Sequence, residues 1–186
     1  MKKGFTIIEV SLVLAIAGLI FLMVFIALPG LRASQRDTSR RENVLSFIEN
    51  VKKYQNNNRG ALPTDTPSNA IVVDWDEEKK DASKIPPDAA SWKRFYYDYF
   101  DLGKFIDPDG TNYQLVVLNC GSETVDSPCN NTALDSLVSA SFPNDYKMYV
   151  VKQATCDNDK AARTANPRKI AVLYKLEGAG TYCANT

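Results

Sequence analysis

The sequence predicts an α+β chain in which a long N-terminal spine helix, hydrophobic in its first half, packs on a small antiparallel β-sheet head. Three observations carry that expectation. Residues 10–28 are apolar apart from Ser11. Further on, Val44, Phe47, Ile48 and Val51 fall at i, i+3, i+4 and i+7, with Tyr54 continuing the row, which is the spacing of one buried helix stripe. Three later runs, residues 112–119 (NYQLVVLN), 146–155 (YKMYVVKQAT) and 169–176 (KIAVLYKL), are rich in β-branched and aromatic residues and bounded by Gly, Asn or Pro.

A length of 186 residues fits one domain with an appendage, or one modest domain entirely. The charges balance overall, 22 basic against 22 acidic, but residues 1–59 carry nine Lys/Arg and four Asp/Glu, leaving thirteen against eighteen afterwards. The chain is a basic stalk followed by an acidic body. Histidine is absent, which excludes histidine-dependent catalytic triads and histidine zinc sites.

Together with residues 5–8, the apolar run reaches the ~20 residues that a bilayer-spanning helix needs. It is too long for the ~7–15-residue core of a secretory signal peptide, and Leu28-Pro29-Gly30-Leu31 is a poor cleavage site. Lys2 and Lys3 favour a cytoplasmic start, whereas Arg32, Arg36, Arg40 and Arg41 crowd the other flank and argue the reverse. Cysteines in the body break the tie, because disulfides belong outside the cytoplasm. Glu9 is the anomaly of the segment. An ionisable group in a span costs on the order of 3 kcal/mol unless it has a partner; alternatively, Glu9 lies at headgroup depth and complements the N-terminal helix dipole. The chemistry of the residue alone leaves both readings open.

The stretch Lys3-Gly4-Phe5-Thr6-Ile7-Ile8-Glu9-Val10, followed by the apolar helix, resembles the leader and N-terminus of type IV pilins and pseudopilins, with strong similarity over about the first 30 residues. The resemblance implies a four-residue leader, residues 1–4, cut by a prepilin peptidase between Gly4 and Phe5, with methylation of the new Phe5 amine. It also implies that Glu9 meets the N-terminal ammonium of a neighbouring subunit. Two such charges, each unpaired in an apolar filament core, would be costly, and together they largely offset one another's desolvation. Pilins commonly carry a proline where this chain has Ile26, so Pro29-Gly30, just beyond it, is expected to supply the helix break.

The expected organisation is a leader at 1–4, a transmembrane or filament-core helix at 5–30, an amphipathic continuation at 31–58 and an extracellular α+β head at 59–186. The exposed bases of the spine, among them Arg36, Arg40, Lys52 and Lys53, read as a solvated face or as contacts to acids of neighbouring subunits. Asn and Gly at 56–60 end the helix, and residues 61–90 read as loop. The aromatic stretch 91–105 fits a helix or a strand, with a short helix favoured.

Cys120, Cys129, Cys156 and Cys183 lack CxxC spacing, so disulfides are expected in preference to zinc or redox chemistry. Four cysteines allow three connectivities. Strand placement favours Cys156 with Cys183, brought together by an antiparallel hairpin, and Cys120 with Cys129 across a short loop.

Asp107-Pro108-Asp109-Gly110-Thr111-Asn112 resembles the start of a calcium loop, but its glycine comes too early and the distal glutamate is missing, so a Pro-Asp-Gly turn is the plainer account. Lys160, Arg163, Arg168 and Lys169 give only thin support for nucleic acid as a partner. No catalytic residue, metal or cofactor is assigned. The function expected is that of a structural subunit of a type IV pilus, serving adhesion, surface motility or DNA uptake. Its partners are copies of itself, the prepilin peptidase, an inner-membrane assembly platform with its ATPase, and the membrane that holds the precursor. A pseudopilin of a secretion or competence system shares every N-terminal feature. A signal-anchored extracellular enzyme or binding module is the alternative from another class.

Overall fold

A computed structural model of the chain describes residues 4–64, 71–74, 91–100, 105–120, 146–178 and 180–186. Helix α1 spans Ile7–Asn57, 51 residues, or about 77 Å at 1.5 Å per residue. It starts at a capping box, with Thr6 as N-cap and Glu9 three residues on. It ends where Arg59 and Gly60 take positive φ and the Gly60 N–H closes on the Gln55 carbonyl at 2.7 Å. A side chain at Gly60 would also press on the Arg168 guanidinium, since a Cβ added there would lie 3.1 Å from it.

The break expected at Pro29-Gly30 is not a helix end, because α1 runs through both residues. Proline withholds one N–H from the carbonyl four residues earlier. The good helix formers that follow, Leu31, Arg32 and Ala33, restart the ladder within a turn.

Five strands form the main sheet in the order β1-β2-β3-β6-β7, with β1 at Ile71–Asp74, β2 at Gln114–Asn119, β3 at Lys147–Lys152, β6 at Ile170–Lys175 and β7 at Thr181–Asn185. The expected antiparallel sheet is in fact mixed: β2 and β3 run parallel, Gln114 opposite Lys147 and Asn119 opposite Lys152, and the other pairings are antiparallel. Parallel neighbours need a crossover of a dozen or more residues, and the long connection between Asn119 and Lys147 supplies that length. The run expected as one strand at 146–155 divides at Gln153, whose φ is 56°. Beyond it, β4 (Ala154–Asp157) pairs with β5 (Lys160–Arg163) as a separate hairpin.

That hairpin explains why the strand sequences do not alternate. One face of the sheet, with Leu115, Val117, Met148, Val150, Ile170 and Val172, packs against Val44, Phe47, Ile48 and Val51 of α1. The opposite face, with Val116, Leu118, Tyr149, Val151, Ala171 and Leu173, is covered by Ala154 and Ala161 of the hairpin. A strand buried on both sides reads as a continuous apolar run. The short helix expected within 91–105 is α2, Trp92–Tyr99, capped by the Ser91 hydroxyl on the Arg94 N–H at 3.0 Å. Its Phe95 meets Phe47 and Tyr54 of α1 edge-on, with centroids 5.9 and 5.4 Å apart, a favoured aromatic geometry.

Candidate assembly site on the apolar rod and its junction with the head

Among the described residues, the first half of α1 packs on nothing else. The most apolar 18-residue window of the helix is 0% buried, and Ile7, Ile8, Leu14, Leu19, Phe25 and Leu31 are all exposed, Ile7 by 88%. These side chains point to every side of the helix, so a single partner face cannot cover them. A helix apolar all round is stable only within a membrane or an apolar core. Among the described residues, α1 is long and apolar enough to cross a bilayer.

At the tip, Gly4 and Phe5 are exposed and precede the helix. Their shared peptide bond is therefore accessible to an enzyme that needs extended chain. The Glu9 Oε2 accepts hydrogen bonds from the Thr6 N–H at 2.9 Å and the Thr6 hydroxyl at 2.8 Å, while the Glu9 N–H donates back to Thr6 Oγ1 at 3.4 Å. The carboxylate sits in the first turn, where the helix dipole favours negative charge. Its second oxygen accepts no hydrogen bond among the described residues, so the cap leaves half of the acceptor capacity for an external cation.

Farther up, the rod enters the head through a charged junction. Arg40, 3% exposed, grips Asp107 with two parallel bonds, Nε to Oδ2 at 2.8 Å and Nη2 to Oδ1 at 2.9 Å. Its remaining nitrogen reaches Asp37 Oδ1 at 3.2 Å and Glu177 Oε1 at 3.1 Å. The Tyr174 hydroxyl donates to Asp107 Oδ2 at 3.0 Å. Arg36 holds Glu177 through Nε and Nη2, the shortest contact being 2.6 Å. Asp37 accepts the Glu177 and Gly178 backbone N–H groups at 2.9 and 2.8 Å, and Asn43 donates to the Ile106 carbonyl and the Tyr113 hydroxyl. Burial alone would lower the pKa of Arg40, but the hydrogen bonds and charge of Asp107 more than reverse this and hold it above the ordinary value. Burial foremost, with the Asp107 charge, drives the Tyr174 hydroxyl upward, so it stays a donor. These bidentate and backbone contacts fix the rotation and height of α1 against the sheet, which apolar packing alone specifies less sharply.

No family model, curated protein or solved structure matches the chain.

The Asp107 loop closes as the turn that its Pro-Asp-Gly sequence suggests, with the Gly110 N–H on the Asp107 carbonyl at 2.8 Å, Gly110 at φ 91° and the Thr111 N–H on Asp109 Oδ1 at 2.9 Å. Both Asp107 oxygens are taken by Arg40 and Tyr174. Among the described residues no group of three or more Cys, Asp and Glu is placed to hold a metal ion. Cys156 and Cys183 form a disulfide with Cα atoms 5.8 Å apart. It joins β4 to β7, tying the hairpin to an edge strand of the main sheet, and so crosses between sheets where a single hairpin was expected. Cys120 is also disulfide-bonded; its expected partner, Cys129, lies outside the described residues. The four late basic residues are divided. Lys160 and Arg163 lie on β5, the Arg168 carbonyl accepts from Gln55 at 2.7 Å, and the Lys169 ammonium is bound by the Thr186 oxygen.

The junction is what sequence reasoning missed. Arg36 and Arg40 were expected on a solvated or intersubunit face, yet their partners are within the same chain. A signal was present: Asp37 and Arg40 continue the row of Val44, Phe47, Ile48 and Val51 backwards at helical spacing, which marks them as facing the head.

Proposed function

We propose that this chain is a structural subunit of a type IV pilus: a membrane-embedded precursor, trimmed between Gly4 and Phe5, whose α1 rods bundle into the core of an extracellular filament. The observation that carries this reading is the exposed, all-round apolar first half of α1, which begins immediately after the Lys-Gly-Phe-Thr motif and carries one acid near its tip. Lipid covers such a rod before assembly, and copies of the same rod cover it afterwards. Glu9 keeps an unused carboxylate oxygen beyond its cap, and the ammonium created at Phe5 of a neighbour is a cation of matching charge and small size. The head is a disulfide-stapled α+β body held rigidly to the rod, as a subunit whose rod transmits load requires. In this role the chain is a building block and catalyses nothing; the work of polymerisation comes from the assembly platform and its ATPase.

Two substitutions test the reading. Glu9→Val, which is more apolar, inserts into the membrane as well as the natural chain but drops out of filaments by at least tenfold in sheared surface material. Thr6→Val loses the cap yet keeps the carboxylate, and it assembles. Wild-type filament yield from Glu9→Val contradicts the pairing, and equal failure of both variants assigns Glu9 to helix capping alone.

A further inference from the structure

Apolar contact between rods is non-directional and leaves their height relative to one another undetermined. Because α1 runs unbroken through Pro29, rods that lie side by side through the apolar half remain neighbours above it. There the head covers one face of the helix and the opposite face stays exposed. Glu42, Leu45, Ser46, Glu49, Lys52 and Lys53 make up that face, falling at i, i+3, i+4, i+7, i+10 and i+11. Leu31, Gln35 and Thr38 continue it downward to the apolar run, and Leu45 is left 47% exposed near its middle. Among the described residues Glu42, Glu49 and Lys52 join no ion pair. Glu49 and Lys53 have the i, i+4 spacing that often pairs on a helix, yet the Lys53 ammonium reaches Asn50 Oδ1 at 3.4 Å.

We propose that this face is the contact on which a second copy of the chain sets its height, the acids Glu42 and Glu49 of one copy facing Lys52 and Lys53 of the next. The inference rests on the filament reading and names the surface above the apolar core. Copies inserted into a membrane in the same sense are parallel. In register, each charge on this face meets its own kind, which is repulsive. At 1.5 Å per residue, a displacement of about 5 Å brings the two lysines level with Glu49, and one of about 16 Å brings them level with Glu42. A single exposed pair contributes little, but the same pair recurs at every contact along a filament, and charge complementarity fixes register more than affinity. Arg36 and Arg40, neutralised by the head, take no part.

The test expresses two full-length variants, singly and together, and reads filaments in sheared surface material. Glu42→Lys with Glu49→Lys makes the face basic, and Lys52→Glu with Lys53→Glu makes it acidic. Expressed alone, each lowers filament yield by about tenfold, because like charges now meet at every contact. The milder Glu42→Gln with Glu49→Gln removes charge without reversing it and lowers yield by about threefold. Expressed together, the two reversed chains assemble to near the natural yield, in filaments that contain both, distinguished by peptide mass. Charges that pair only within one chain could not be restored by another, so the rescue reads contact between copies. Circular dichroism and an intact Cys156–Cys183 disulfide report that each variant is folded. Natural yield from the neutral variant or from either reversed variant alone overturns the proposal, as does failure of the two folded reversed chains to assemble together. A natural chain that forms no filament overturns the filament reading itself, a separate result.

Discussion

Burying Arg40 costs free energy that only its partners can offset. Asp107, itself 1% exposed, is left as an uncompensated charge if the guanidinium is removed. Arg40→Leu is therefore expected to destabilise the head by about 3–5 kcal/mol, measured by denaturant unfolding. The double change Arg40→Leu with Asp107→Leu recovers most of that loss, because a buried pair replaced by apolar side chains is often near neutral. Glu177 predicts a pH dependence. Its hydrogen bond from Arg36, outweighing burial, lowers its pKa below the ordinary 4.5. A carboxylate with a depressed folded pKa contributes stability that is complete above its unfolded pKa and is lost as pH falls through the folded one. The head should therefore lose stability below about pH 4.5, and Glu177→Gln should flatten part of that slope by less than about 1 kcal/mol, since the pair is partly exposed.

At the scale of elements, local periodicity served well and long-range pairing did not. Helix α1 was legible because caps and stripe are local: the expected end near residue 56 compares with Asn57, and the row from Val44 to Tyr54 faces the sheet as its spacing says. Runs such as IAVLY announce strands, yet nothing in them states whether a neighbour is parallel, so β2 and β3 were misjudged. Residue 153 escaped notice because a glutamine seldom takes positive φ; it turns the chain out of β3, and Cys156 therefore lies on the hairpin and not at a strand end of the main sheet. The Cys156–Cys183 disulfide closes a sequence separation of 27, and Cys156→Ser with Cys183→Ser should cost about 3–4 kcal/mol in the chain-entropy picture. Amide exchange should rise first in β4, β5 and β7, while β3 and β6 stay protected. Uniform loss of protection across the sheet would instead make the bridge a global staple.

At the scale of the molecule, a helix whose first half is apolar on every side is joined, through a buried ionic clasp in its second half, to a head with its own core. The rod and its tip could be read from sequence because they rest on contiguous residues: Gly4, Phe5, Glu9 and the apolar run. The clasp could not, since it joins α1 to Asp107 and Glu177, residues 67 and 141 positions away by their hydrogen bonds, and an arginine in a sequence does not name its partner. The rod must be covered, and how it is covered separates a filament subunit from an anchored module. Mass spectrometry of sheared surface filaments tests this most directly. The account predicts a chain that begins at N-methylated Phe5 and is abundant in the filaments; a chain that begins at Met1, or one recovered solely as monomers in the membrane, would contradict it.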